Sequence, residues 1–270
     1  MLFGGQTSKG SSDETWLWDG HKWTAANPGH KPSARRAAAM AYDPGHKTIV
    51  LYGGLVQDNA EGFASADTWS WDGNDWAVLS DHSDAVGQRL GARMVTAGSK
   101  VVLFGGGIAP NYGLYGDAFI WDGRAWTSID RAPRPPGRYG AAVAWTPEDS
   151  SLLVFGGNEL DPNAGPGAAG LPLADTWSLQ DGAWTRLTST GPPPTGQANA
   201  LWEAKPRQLL VMFGVAGIKC PSPTNAVWAW DGSAWSQLAS AAPPPRWGAA
   251  LAQDDDGGAL VFGGSDEPGC

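Results

Sequence analysis

Four arginines recur in nearly the same local setting: RRAAAM (35 to 40), RLGARM (89 to 94), RYGAAV (138 to 143) and RWGAAL (246 to 251). A guanidinium is a planar, permanently charged fork that grips a carboxylate through two parallel hydrogen bonds. Two chemistries follow. Arg35, Arg89, Arg138 and Arg246, facing solvent together with Trp247, would make a site for an acidic peptide or a sugar acid. Alternatively each arginine pairs with an acid that heads a downstream aromatic strand, such as Glu14, Asp67, Asp117 or Asp175, and latches neighbouring repeats together. A further copy, GQANAL (196 to 201), has lost the arginine, with Gly196 in the gap, and Ala226 replaces the acid of the same repeat. Loss of both partners at once favours the pairing.

Other reactive side chains are sparse. The histidines are His21, His30, His46 and His82, with no zinc-type spacing of Cys and His, so no metal or other cofactor is expected. Ser70-Trp71-Asp72-Gly73 only mimics a sialidase-type Asp box, and neither a G-x-S-x-G elbow nor a phosphate-binding loop occurs. Asp254-Asp255-Asp256 and Asp161-Pro162-Asn163 are oxygen-rich turns, short of the six or more ligands that Ca2+ takes. Cys220 and Cys270 lie six and seven residues beyond Gly214 and Gly263, in equivalent loops, and would form a disulfide if the protein is exported.

The formal net charge is -9 and only seven residues are lysine, which argues against a nucleic-acid partner. No apolar run approaches the ~20 residues of a membrane span. Met1-Leu2-Phe3 runs directly into Gly4-Gly5 with no leader. The expected location is cytoplasmic if Met1 is the true start, and extracellular if it is not.

The elements that position these residues are repeats. DTWSWDGNDW (67 to 76) has relatives at 15 to 23, 117 to 126, 175 to 184 and 227 to 235. Each carries an aromatic residue seven positions before its last Trp: Trp16/Trp23, Trp69/Trp76, Phe119/Trp126, Trp177/Trp184 and Trp228/Trp235. Alternating bulky residues around Asp-Gly predict a strand, a tight turn and a return strand, with these aromatics packed across the hairpin. A second marker, an apolar strand ending in Gly-Gly, precedes each hairpin: MLFGG (1 to 5), VLYGG (50 to 54), VLFGG (102 to 106), LVFGG (153 to 157), VMFGV (211 to 215) and LVFGG (260 to 264). Successive first glycines are 49, 52, 51, 58 and 49 residues apart.

With the three markers in this order, the chain resembles the kelch-repeat β-propeller family, whose fold is also that of the galactose oxidase central domain. The resemblance covers nearly the whole sequence. It implies an all-β fold, one domain over 1–270, with four antiparallel strands per blade: a from the arginine motif, b ending at Gly-Gly, and c and d forming the aromatic hairpin. Blades are expected at 35–79, 89–129, 138–187 and 196–238. A fifth, composite blade would join 246–264 to 1–26 and leave the MLFGG strand redundant; the alternative is a fragment of a six- or seven-bladed ring. Copper radical oxidases of this fold need His, Tyr and Cys ligands on neighbouring blades, and the histidines here are badly placed for that.

The b-to-c and d-to-a connections are long, while the other turns are short. In a meander both long classes leave the sheet on the same side, so one face is elaborated and becomes the candidate binding surface. Phe63, Tyr112, Tyr115, Asn111, Asn163 and Asp161 belong to it, and the arginines enter the innermost strands from it. The expected function is a non-catalytic, monomeric scaffold that binds a protein or glycan partner. The alternative is a carbohydrate-active enzyme resembling sialate mutarotases.

Overall fold

The computed structural model describes residues 1–56, 62–83, 85–109, 112–161, 170–188, 191–216, 222–238, 243–253 and 258–267. Their regular elements are all β-strands. The chain forms two compact units, Met1–Gly113 with Ala118–Ile129, and Leu114–Asp117 with Asp130–Cys270.

We number the repeats 1 to 6 in the order of their b strands. In the first unit, repeat 1 supplies b, c and d as Leu2–Phe3, Thr15–Trp18 and Trp23–Ala25. Repeat 2 is a four-stranded antiparallel sheet in the order Ala39–Asp43, Thr48–Tyr52, Thr68–Trp71, Trp76–Ser80. Repeat 3 follows the same plan with Arg93–Ala97, Lys100–Phe104, Ala118–Trp121 and Trp126–Ser128. The second unit contains two more such sheets. Repeat 4 is Ala142–Thr146, Ser151–Phe155, Thr176–Gln180 and Ala183–Thr188; repeat 5 is Asn199–Ala204, Arg207–Met212, Val227–Trp230 and Trp235–Leu238. Repeat 6 contributes a two-stranded pair, Ala250–Gln253 and Ala259–Phe262.

The MLFGG strand is not redundant. Leu2 lies opposite Trp16 and Phe3 opposite Thr15, so this strand fills the inner edge of the first hairpin. Phe3 also meets Trp76 edge-on, with ring centroids 4.9 Å apart.

The hairpins hold a second correction. The partner of the last Trp lies five residues before it, not seven: Trp18 opposite Trp23, Trp71 opposite Trp76, Trp121 opposite Trp126 and Trp230 opposite Trp235. Their ring centroids are 5.3 to 5.6 Å apart. In repeat 4 the slot is taken by Leu179, opposite Trp184. Turn geometry explains how this register survives a shifted Asp-Gly. In repeat 2 the four residues 72–75 form the loop, and the Asp72 carboxylate accepts the backbone N–H groups of Asn74 and Asp75 at 2.8 and 2.9 Å. Asp19, Asp122 and Asp231 cap their turns in the same way, and these backbone N–H groups hold all four carboxyls below their ordinary pKa. Repeat 4 instead makes a two-residue turn with Asp181 and Gly182 both at positive φ, 51° and 79°.

The aromatic residue seven positions before the last Trp points to a different task. Trp16, Trp69 and Trp177 donate their indole N–H to Glu14, Asp67 and Asp175, at 3.0, 2.7 and 2.7 Å. The last Trp reaches into the preceding repeat. Trp76 donates to Thr15 Oγ1 at 2.9 Å, Trp126 to Thr68 Oγ1 at 3.0 Å and Trp235 to Thr176 Oγ1 at 3.0 Å. Trp184, whose counterpart threonine is replaced by Ala118 in the sequence, uses the Asp130 carboxylate at 2.8 Å. These bonds let a large ring be buried without leaving its N–H unsatisfied. Between the sheets, Val50, Val101, Leu103 and Trp121 centre one apolar cluster of the first unit, and Phe155, Leu209, Val211 and Trp230 centre one of the second.

Candidate functional site

The described parts of the long connections form short strands. At one end of the repeat 2 sheet, Arg35–Arg36 from the d-to-a segment pairs with Leu55–Val56, which pairs with Phe63–Ala64. Repeat 5 has the same ribbon in Thr195–Gly196, Val215–Ala216 and Ser222–Pro223. Single bridges repeat the contact elsewhere: Leu90 with Gly107, Tyr139 with Asn158 and Trp247 with Ser265, while Thr224 with Arg246 joins repeat 5 to repeat 6. The b-to-c and d-to-a segments are therefore hydrogen-bonded to each other at the same end of each sheet. Two-residue strands show no hydrophobic period, so in the sequence these segments read as loops.

The arginines sit under this end, and the backbones of Arg35 and Arg89 are hydrogen-bonded to the preceding repeat. Arg35 donates its N–H to Ser12 O at 3.0 Å and accepts from Gly5 N at 2.9 Å; Arg89 does the same with Ser65 and Gly54. Each side chain then turns into its own repeat. Arg35 holds Asp67 through two nitrogens at 2.6 and 2.8 Å and donates to Gly53 O at 2.8 Å. Arg138 holds Asp175 at 2.6 and 3.1 Å and donates to Gly156 O at 2.9 Å. Arg89 donates to Val86 O at 3.0 and 2.8 Å and to Gly105 O at 3.0 Å, and its guanidinium lies 5.2 Å from the Phe119 ring centroid. All three arginines are at most 1% exposed.

The acids respond as buried partners do. Burial alone would raise the Asp67 and Asp175 carboxyls, but the hydrogen bonds and charge of Arg35 and Arg138, with the indole N–H groups, hold both below the usual carboxylate range. Arg35, Arg89 and Arg138 thus belong to the framework. The ion pairs close within one repeat, from the start of strand a to the head of strand c; in repeats 2 and 3 it is the arginine backbone that ties the repeat to the one before.

Arg246 differs. Its side chain is partly exposed, donates to Pro244 O at 3.2 Å and Gly263 O at 2.9 Å, and has no carboxylate partner among the described residues. Trp247 beside it is half-buried and donates to Glu267 O at 3.0 Å. Phe63 is 48% exposed on its ribbon. Tyr115 is half-buried, and its carbonyl accepts the Arg138 N–H at 3.0 Å. Asp161 is half-buried. Tyr112 opens the short strand Tyr112–Leu114. Its side chain, Asn111, Asn163, Asp254 to Asp256, Cys220 and Cys270 lie outside the described residues. No group of three or more His, Cys, Asp or Glu that could hold a metal occurs among the described residues. His30 and His46 pair separately with Asp75 and Asp43, at 2.8 and 2.9 Å.

Repeat 5 shows where the sequence alignment was one residue out. Gly157 N donates to Thr195 O at 3.0 Å, as Gly54 N does to Arg89 O, so Thr195, not Gly196, stands in the arginine position. Likewise Gly214 N donates to Arg246 O at 2.9 Å, making Gly214 the second glycine and Phe213 the first. Phe213 takes the left-handed conformation of that position, φ 62°, with a side chain on it, a strain of ~1–3 kcal/mol. Thr224 Oγ1 accepts the Ala226 N–H at 3.0 Å, as Ser65 Oγ accepts that of Asp67, which puts Ala226 in the acid position. In the space of the missing arginine and acid lies a cavity of about 140 Å3, walled by Pro193, Thr195, Phe213, Thr224, Ala226 and Trp228. The double loss was visible in the sequence; the void it leaves was not.

Comparison with known proteins agrees with this architecture. The family model described as the KLHDC2/KLHL20/DRC7 Kelch-repeats domain matches residues 91–270. The tRNA wybutosine-synthesizing protein 4 of Aspergillus fumigatus is 32% identical over 128 residues, covering 41% of this chain and 12% of that protein's length. This chain thus spans only a small part of that relative. No helix among the described residues is long and apolar enough to cross a membrane. Apolar b strands closed by a left-handed pair, buried arginine latches and tryptophan hairpins are the repeat, and the chain belongs to the kelch-repeat domain family.

Proposed function

We infer that this chain is a protein-interaction scaffold without catalysis of its own, presenting the sheet ends where the b-to-c ribbons and d-to-a segments meet. The observation that carries this reading is the division of labour in those ends. Arg35, Arg89 and Arg138 are buried supports, while Phe63 on its ribbon is 48% exposed and Arg246 is partly exposed. An exposed phenylalanine, a half-buried tryptophan and an arginine without a carboxylate among the described residues suit a protein surface with acidic and apolar groups. Membership of the kelch-repeat family supports the same role. The depressed carboxyls of Asp67 and Asp175 are tied to arginines, which supports structural employment over acid–base work.

The test is affinity capture with crosslinking, comparing the wild type with Phe63→Asp, Arg246→Ala and Trp247→Ala and with turn-end controls Lys47→Ala and Asn74→Ala. The expected result is loss of the same captured proteins in the first set and retention in the controls. The reverse pattern would reject the face. A glycan array run alongside separates the two ligand classes, since binding there in place of protein capture would overturn the protein reading.

A further inference from the structure

We propose that the cavity of repeat 5 is a binding site for a small neutral ligand bearing a planar primary carboxamide. It lies at the ribbon end of repeat 5, walled in part by Thr195 and Ala216 of that ribbon, and its ligand follows from the cavity alone, without reliance on the protein-interaction reading.

The site is defined by what the other repeats put there. In repeat 4 this space contains the Arg138 guanidinium and the Asp175 carboxylate, with Gly156 O accepting from the first and Trp177 Nε1 donating to the second. In repeat 5 the protein groups that served the pair remain after the pair is gone. Trp228 occupies the place of Trp177, and its indole N–H has no acceptor among the described residues; Phe213 occupies the place of Gly156, and its carbonyl has no donor there. The third former acceptor, the loop carbonyl, is already satisfied: Thr195 Oγ1 donates to Pro193 O at 2.5 Å, where Arg138 Nε uses Pro136 O. The Trp228 N–H and the Phe213 carbonyl are therefore left without partners among the described residues, on a wall that is mostly apolar and has Gln237, the cross-strand partner of Trp228, at its exposed edge. A volume of about 140 Å3 is close to the ~150 Å3 that admits one benzene ring.

Charge decides the class. The two opposite charges were lost together, so the cavity holds no counter-charge for either an anion or a cation, and burying one alone is costly. A primary carboxamide meets both vacant groups without a net charge: its oxygen accepts from the Trp228 indole, and its N–H donates to the Phe213 carbonyl. The apolar body takes the rest of the space. Such a group arrives either on a free aromatic amide or on the side chain of a glutamine.

Benzamide, benzoate and benzamidine share one ring and differ in charge, so they test the idea in solution on the whole chain. The readout is the Trp228 indole 15N–1H resonance, assigned by its disappearance in Trp228→Phe. Benzamide is expected to shift it saturably in the millimolar range, with the two charged probes at least tenfold weaker. Thr195→Arg/Ala226→Asp, which rebuilds the pair, and Ala226→Leu, which fills the cavity without charge, should each abolish the shift. N-acetylglutamine methylamide beside benzamide identifies the source: the tighter of the two names it. No saturable shift with either amide, equal binding of the charged probes, or a shift that survives in whichever filled variant folds would overturn the proposal.

Discussion

Repeats 4 and 5 are neighbouring sheets with the same strand order, yet one encloses a salt bridge and the other a void at the same point. The comparison teaches that the sheet does not require the ion pair, but that its halves are not separable. A buried charge left without its partner costs far more than a neutral site of the same shape. Repeat 5 has lost both groups, leaving Thr195 to satisfy the loop carbonyl that an arginine otherwise serves. The remaining polar groups then become available to something that is not part of the chain.

The largest expected effect comes from splitting the intact pair. Arg138→Ala should destabilise by ~3 kcal/mol, because Asp175, at 8% side-chain exposure, loses its bidentate partner and keeps only the Trp177 indole N–H and the more distant Arg186, 4.0 Å away. Arg138→Thr/Asp175→Ala, which turns repeat 4 into a copy of repeat 5, should cost less than the sum of the two single substitutions by ~2–3 kcal/mol. Urea unfolding of the four proteins checks the cycle. Additive losses would mean that the arginine and the acid serve the fold separately.

Acid sharpens the same contrast. Asp67 and Asp175 are depressed in the folded protein, so the stability they contribute is complete above the unfolded carboxyl value of about 4 and is lost as pH falls through their lower folded values. Each fully titrating acid adds at most ~1.4 kcal/mol per pH unit to the slope. In the double variant Arg138→Thr/Asp175→Ala one of these acids is gone, and the fall in stability below about pH 4 should be visibly shallower than in the wild type. An identical slope would show that Asp175 does not set it.

Much of this contrast is legible in the sequence itself. The arginine and the acid recur as markers, and their joint absence from repeat 5 already favours pairing over a ligand-binding ring. What misled was register. Aromatics seven residues apart looked like cross-strand partners, but the sheet pairs those five apart, because the Asp-Gly loop in repeat 2 holds four residues, 72 to 75. The alignment of VMFGV with VLFGG failed for a related reason. Sequence matching sought a glycine at the first left-handed position, whereas Phe213 adopts that conformation itself. The ribbons of the elaborated ends were invisible, since strands of two residues are defined by their hydrogen bonds, not by their composition.

A smaller effect tests the tie between successive repeats. Thr176→Val keeps the shape of the side chain but removes the acceptor of the Trp235 indole, 3.0 Å away. The expected cost is ~1 kcal/mol, measured by urea unfolding, with a change in the tryptophan emission that Trp235→Phe abolishes. Trp184 draws instead on the Asp130 carboxylate, so Asp130→Asn should weaken its bond without removing it.

The smallest effect has the opposite sign. Asn199 begins strand a of repeat 5 opposite Met212, where repeats 2 and 4 place Ala39 opposite Tyr52 and Ala142 opposite Phe155. Its side chain is 9% exposed and its Nδ2 is buried with no hydrogen-bond partner. A buried amide nitrogen left unsatisfied costs ~1–3 kcal/mol, part of which is offset by the packing of the rest of the side chain. Asn199→Ala restores the residue that the neighbouring sheets use and removes that penalty, at the price of a few methylene-sized contacts. The net change should be a stabilisation of about 0.5–1 kcal/mol, seen as a rise in the urea midpoint with an unchanged slope. A loss of stability would mean that the amide finds a partner in solution, and that repeat 5 is specialised at its inner strand as well as at its cavity.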